Sequence, residues 1–250
     1  MSYLDHLLTI VQTCKGFLSS RIESEENEFV ELTFLEEYKR LRRISREVLF
    51  ENIVTKIDTH IILECAKKLG LYYKRAVRLS RDENASVLLD YATYHYRVVG
   101  KNAIERYSLR HRKILGTEEK QILEYNKKAY FSLFKVKKCL NNGWVILLDV
   151  FRDTELLLID EGLSKTGSPD FLLLSNIVPC GSFYMTTGAT ILLTLGDALN
   201  KVMALFLRLP KKYSCYNDLP KDKESNLIAK MLKVCLEMDV MKNTMLMEVE

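Results

Sequence analysis

Proline and glycine are scarce, four and ten among 250 residues, which argues against a disordered or repetitive chain. No period of roughly 20 to 50 residues is visible, so a solenoid is not expected. Six cysteines are present (Cys14, Cys65, Cys139, Cys180, Cys215, Cys235), without a C-x-x-C pair or a close histidine. Neither a zinc site nor a disulfide framework follows from that spacing. Four of the six have apolar neighbours and read as small core residues in a reducing compartment.

Clean hydrophobic runs are missing as well. "MSYLDHLLTI" has no basic n-region and carries Asp5 and His6, so it does not read as a secretory signal. The most hydrophobic segment, residues 183–209, is interrupted by Gly188, Asp197 and Lys201; a span needs about 20 apolar residues, and a charge at its centre is costly. It reads instead as a strand followed by a core helix, and the chain as soluble and cytoplasmic. G-x-S-x-G, Walker-type and G-x-G-x-x-G glycine patterns are all absent. Of His6, His60, His95 and His111, none has a second histidine three or four residues on, so helical metal spacing fails. No cofactor and no metal is expected.

What is present is a globular composition, 48% hydrophobic and 28% charged, enough to bury a sizeable core. Apolar residues at helical spacing predict helices over 2–22, from Phe29 to Val48 after the acidic link "ESEENE", and over 56–69 with Gly70 as its C′ residue. The "KRLRRISR" run late in the second of these suits the helix dipole. Helices are also expected over 72–81, 85–98 and 102–115, then from Thr117 as a cap. Near Tyr130 the pattern changes to "YFSLFKVKKCL", "GWVILLDVF", "TELLLID", "FLLLSNIV" and "SFYMTTGA", five short strands with turns between them, and with "DEGLSKTGSPD" as a loop. A helix over 197–209, a linker bounded by Pro210 and Pro220, and an amphipathic helix with a Met-rich end close the chain. The expected architecture is α+β: a helical region over 1–116, a small antiparallel or barrel-like β-module over 117–209, and a linker with a C-terminal helix over 210–250.

Three features bear on chemistry. Asp149, Asp160 and Glu161 lie at different ends of the predicted hairpin, with Asp149 near Leu156 or Leu158. That separates the carboxylates by more than about 10 Å at 3.3 to 3.4 Å per residue, too far for a glycosidase pair; they read as turn and edge fixtures. His95, within "YATYHYR", is the candidate for a general base beside Tyr94, with Asp90 as a partner. The third feature is a basic block, twelve Lys/Arg against four Asp/Glu from Lys67 to Lys113. It holds Lys67, Lys68, Lys74, Arg75, Arg78, Arg81, Arg106, Arg110 and Lys113, with Tyr72 and Tyr73 interleaved. If the segment is helical, Lys74, Arg78 and Arg81 share a face, and such stripes can meet phosphates while tyrosines stack on bases.

The order "DYATYHYRVVGKNAIERY", "TEEKQILEYNKKAYFSLFKV", "GWVILLDVF", "LLLIDEGLS" and "FLLLSNIVPCGSFYMTTGA" resembles a module of uncharacterised bacterial proteins. Some of those also carry the small SEC-C zinc-binding motif. The resemblance covers about residues 88–193. It implies the α+β fold and no activity, and no zinc is implied here because the Cys/His cluster of that motif is missing. The expected function is a non-enzymatic intracellular binding or adaptor protein with a protein partner. The alternatives are nucleic-acid binding through residues 67–113 and an enzyme with a site near Tyr94 and His95.

Overall fold

The computed structural model of the chain describes residues 20–79, 81–140, 143–193, 196–209 and 219–238, with side chains from residue 33. The helix expected over 2–22 falls almost wholly outside the described residues, as do most of the 210–220 linker, the Met-rich end, Cys14 and Cys215.

The first half is helical: α1 (Ser20–Ser45), a π-turn (Arg46–Glu51), a 3₁₀ turn (Val54–Lys56), α2 (Thr59–Leu69), α3 (Asp82–Tyr94), α4 (Ala103–His111) and α5 (Thr117–Lys127). Local chemistry sets most of the ends. Asp58 caps α2 by accepting from the His60 amide, and Gly70 ends it in a left-handed conformation at φ 75°. Asn102 and Glu105 form a reciprocal capping box on α4.

The β-module follows as β3 (Tyr130–Cys139), β4 (Trp144–Asp149), β5 (Thr154–Ile159), α6 (Glu161–Thr166), β6 (Leu172–Cys180), β7 (Phe183–Thr186) and β8 (Ile191–Leu193). α7 (Asp197–Leu207) and α8 (Lys221–Glu237) complete the chain. Strands β3, β4, β5, β7 and β6 neighbour one another in that order, and β6 pairs with β3 again. The ring is therefore closed, with five strands. All its pairings are antiparallel except one parallel contact, Leu158 against Tyr184.

Alternation decides what fills it. Phe134 and Val136, Val145 and Leu147, Leu156 and Leu158, Leu173 and Ile177 are all buried and form one cluster, each pair drawn from the same face of its strand. The outer faces of the strands meet helices in two further cores. One joins β3, β6 and β8 to α2, α3, α7 and α8. The other packs Trp144, Val178, Phe183 and Met185 against α1, α4 and α5. The C-terminal helix thus returns to the N-terminal helical region, where Tyr91 and Ser225 hydroxyls lie 3.1 Å apart.

Several expected elements differ. "ESEENE" is no link but part of α1. Residues 72–77 form a β-hairpin, β1 (Tyr72–Tyr73) against β2 (Ala76–Val77), where a helix was expected. Its turn residues Lys74 and Arg75 both have positive φ, 46° and 66°, the geometry of a tight hairpin turn without its usual Asn-Gly signal. The supposed helical face of Lys74, Arg78 and Arg81 therefore does not exist. "DEGLSKTGSPD" contains α6, because Asp160 accepts from the Leu163 amide at 2.9 Å and caps a helix. β6 runs through Pro179 and Cys180, and the expected single strand after it is broken. β6 pairs with β7 as Ile177 to Thr186 but with β8 as Leu174 to Ile191, a slip of two residues. Gly188, at φ 111°, sits in the slipped segment, a conformation other residues rarely adopt.

Candidate functional site

Between α1 and α3, over the outside of the barrel wall, lies an open cavity of about 930 Å³. Helical spacing brings Lys39, Arg42, Arg43 and Arg46 from α1 and its π-turn to one side, at i, i+3, i+4 and i+7. Ser86, Leu89, Asp90, Thr93 and Tyr94 of α3 form the opposite side by the same rule. The slipped segment Thr187–Ala189 and the start of α6 lie between them. A π-turn carries one residue more per turn than an α-helix and is most often found where a helix serves a site. Here Arg46, Leu49 and Phe50 of the turn all line the cavity.

The four basic residues are not equivalent. Arg42 donates to the Thr186 carbonyl at 2.6 Å and so ties α1 to β7. Lys39 lies 3.9 Å from Glu161. Arg43 and Arg46 are exposed and have no hydrogen-bond or ion-pair partner among the described residues. Arg40, on another face of α1, instead binds Glu37 through two nitrogens at 2.8 Å and also Glu118.

The acid side is built around Asn176. Its Nδ2 donates to Asp90 Oδ2 in a short hydrogen bond, and its Oδ1 lies 2.8 Å from His95 Nε2. A carboxylate only accepts, so Asn176 must present its amide nitrogen to Asp90 and its oxygen to His95. His95 therefore carries its proton on Nε2. Its ring is buried between Tyr91 and Phe131, at 6.0 and 5.9 Å. That burial pushes its pKa down to about 3, outweighing the Asn176 bond, which favours the charged form. Burial likewise pushes Asp90 up to about 6, against the opposing effect of Thr187 and Asn176. Although nearby, the Thr187 Oγ1 makes no close hydrogen bond and is itself buried without a partner.

Tyr94 donates to Asn126 Oδ1 at 2.7 Å, and burial first, then the Asp90 charge, holds its hydroxyl well above the usual pKa. Asp160, besides capping α6, accepts from Thr186 Oγ1 at 3.0 Å. The site thus joins a cationic mouth to a polar floor, with Leu49, Phe50, Val54 and Leu89 as apolar wall.

Of the three residues the sequence suggested, the structure joins Asp90 to His95 through Asn176, while Tyr94 turns to Asn126 instead, and His95 itself does not line the cavity. Sequence reasoning missed Arg42, Arg43, Arg46 and Asn176. The i, i+3, i+4, i+7 spacing of Lys39, Arg42, Arg43 and Arg46 in "KRLRRISR" was the available signal for the arginines, whereas Asn176 in an apolar strand offered none.

None of the eleven residues of the basic block lines the cavity. Lys67 donates to Glu64 at 2.6 Å and lies over Tyr72, and Lys68 donates to Asn226 at 2.7 Å. Lys74 lies over the exposed Tyr73. Arg75, Arg78, Arg110 and Lys113 are exposed, Arg81 adjoins α3, and half-buried Arg106 donates to the Lys101 carbonyl at 2.8 Å. Partial burial and then the Arg110 charge lower the pKa of Arg106.

Asp149 is opposite Thr154 rather than Leu156 or Leu158. It accepts from Ser132 Oγ at 2.5 Å, from the Phe151 and Arg152 amides at 3.1 Å, and from the Arg152 guanidinium at 3.0 Å. It fixes the turn, as expected. Among the described residues no group of three or more His, Cys, Asp or Glu is placed to hold a metal ion, and no helix is long and apolar enough to cross a membrane.

The model of a family of unknown function (DUF7986) matches residues 33–199, a span that includes both sides of the cavity. Neither a curated protein nor a solved structure matches the chain.

Proposed function

The chain belongs to that family of unknown function, and from the site it carries we propose that it is a non-enzymatic binding protein whose recognition site is the cavity between α1, α3 and the barrel. The observation that carries the reading is a concave site of about 930 Å³ with two arginines at its mouth that have no partner among the described residues and under-satisfied polar groups on its floor. Small-molecule sites span roughly 300 to 1,000 Å³ and combine apolar walls with a few convergent polar groups.

The absence of chemistry is supported by the state of the reactive side chains. His95 is held neutral, with Nε2 committed to Asn176. Burial pushes the thiols of Cys65, Cys180 and Cys235 up to about 12, which makes poor nucleophiles of them. A bacterial and cytoplasmic setting belongs to the same reading and rests on the resemblance of residues 88–193.

The test is a cavity-filling variant. Ser86 is exposed on α3 and lines the mouth, so Ser86→Trp blocks the site without disturbing the core. Mass spectrometry of protein released from cells should find a small molecule with the native chain and lose it with the variant. Identical small-molecule content in both, together with no binder in a ligand-observed NMR screen, sinks the reading. The exposed Arg78, Arg110 and Lys113 favour a second reading, contact with nucleic acid, which predicts heparin retention that falls steeply with salt.

A further inference from the structure

Resting on the cavity reading, we propose that the occupant is an organic phosphate of sugar or nucleoside size, bound with its phosphate between Arg43 and Arg46 and its hydroxyl groups against Asp90 and Thr187.

The charge at the mouth selects the anion. Lys39 is offset by Glu161, and Asp160 already accepts from the Leu163 amide and the Thr186 hydroxyl. The lining as a whole carries four basic side chains, Lys39, Arg42, Arg43 and Arg46, against three carboxylates, Asp90, Asp160 and Glu161, and the two cations without a partner among the described residues, Arg43 and Arg46, are neighbours at the mouth. Two adjacent guanidinium groups with no carboxylate of their own match a phosphomonoester dianion better than a single carboxylate. Arginine also suits it geometrically, since its planar fork meets two oxygens of a phosphate at once. Arg43 and Arg46 are three residues apart on neighbouring turns of one face. Among the described residues neither spends its donors inside the protein, in contrast to Arg40 with its two glutamates.

The interior selects the body of the ligand. The volume far exceeds that of inorganic phosphate, leaving room for a ring system. Asp90 has one close donor, Asn176, and Thr187 Oγ1 has none of either kind. A buried polar atom left without a partner costs about 1 to 3 kcal/mol, so a vicinal pair of hydroxyls entering here would donate to Asp90 and satisfy Thr187 together. Leu49, Phe50 and Leu89 offer an apolar surface to the flat face of a ring.

Isothermal titration calorimetry at low salt tests this with adenosine 5′-monophosphate and ribose 5-phosphate, against adenosine and inorganic phosphate. The two phosphate esters should bind saturably, and adenosine at least about tenfold more weakly, given the worth of charge-assisted hydrogen bonds. The double variant Arg43→Ala/Arg46→Ala should lose roughly a hundredfold on the same basis. The double variant Arg110→Ala/Lys113→Ala, away from the cavity, should bind as the native protein does. No saturable heat with either ester, equal affinity for adenosine, or unchanged binding by the Arg43/Arg46 variant would overturn the proposal. If it falls while the native chain still carries a small molecule that Ser86→Trp loses, the cavity reading survives without it. If that difference is missing too, both fall.

Discussion

Two acids, Asp149 fully buried and Asp90 half-buried, serve opposite faces of one stretch of barrel wall. Ser132 and Asn176 lie one rung apart in the β3–β6 register, since Phe131 pairs with Asn176 and Ser132 with Ser175. Successive side chains on a strand point to opposite faces, so the Ser132 side serves the interior and the Asn176 side the exterior. Asp149, on the inner side, accepts four hydrogen bonds and pairs with Arg152, which in turn stacks on Tyr130 at 3.9 Å. Asp90, on the outer side, has one close donor and an open cavity before it. A saturated acid holds the fold together; an acid left short of donors beside a concave space is available to something else.

The largest effect should separate the two directly. Removing Asp149 takes the carboxylate from a largely buried guanidinium and the acceptor from the Ser132 hydroxyl and two amides, so Asp149→Ala should cost about 3 to 5 kcal/mol in urea unfolding. A loss below about 1 kcal/mol, the worth of an exposed pair, would erase the contrast.

Next comes pH. Asp90 titrates near 6 in the folded protein and near 3.9 when unfolded. Between those values the native state binds the proton more tightly, so raising the pH across that window favours unfolding. Stability should fall by on the order of 2 kcal/mol from about pH 4 to pH 6 through this group, and Asp90→Asn should remove that fall. Profiles of equal steepness in the native protein and the variant would mean that Asp90 is no less satisfied than Asp149.

A smaller change concerns the other basic region. Lys74 and Arg75 hold the hairpin turn with positive φ, at a cost of about 1 to 2 kcal/mol per residue. Replacing them with Asn and Gly should raise stability by about 1 kcal/mol and leave phosphate binding as it was. Reduced binding would show that the outer basic block shares the work of the cavity.

The last prediction moves no appreciable free energy. In Asp90→Asn the Asn176 amide is free to turn over, offering its nitrogen to His95. His95 should then carry its proton on Nδ1, and ¹⁵N spectra of the ring should show the change of tautomer. An unchanged spectrum would mean that Asn176 is oriented by something other than Asp90.

The barrel was legible because it depends on alternation within short segments: Val145 and Leu147, or Leu156 and Leu158, announce their face without reference to the rest of the chain. The hairpin at 72–77 was not, because Lys-Arg is an uncommon pair for a tight turn and the apolar residues around it also fit a helix. The slip between β7 and β8 depends on the facing strand, which the local pattern of "SFYMTTGATILL" does not contain. The site divides the same way. Asp90, Tyr94 and His95 lie within six residues and invited suspicion. Asn176, which joins Asp90 to His95 from 86 and 81 residues away, reaches them only once the ring of strands has closed. "KRLRRISR" was visible, but a helix dipole explained it well enough that nothing pointed to a second use.

The π-turn at Arg46–Glu51 makes the cavity sensitive to insertions and deletions rather than to substitution. An α-helix advances about 100° per residue, so the extra residue turns everything after it by that amount. A relative one residue shorter here could keep each of the arginines, Asp90 and Asn176, yet present Leu49 and Phe50 in another direction and leave the pocket without its apolar side. Within the family, the length of this short segment would then be a sharper mark of shared binding than the identity of any residue in it.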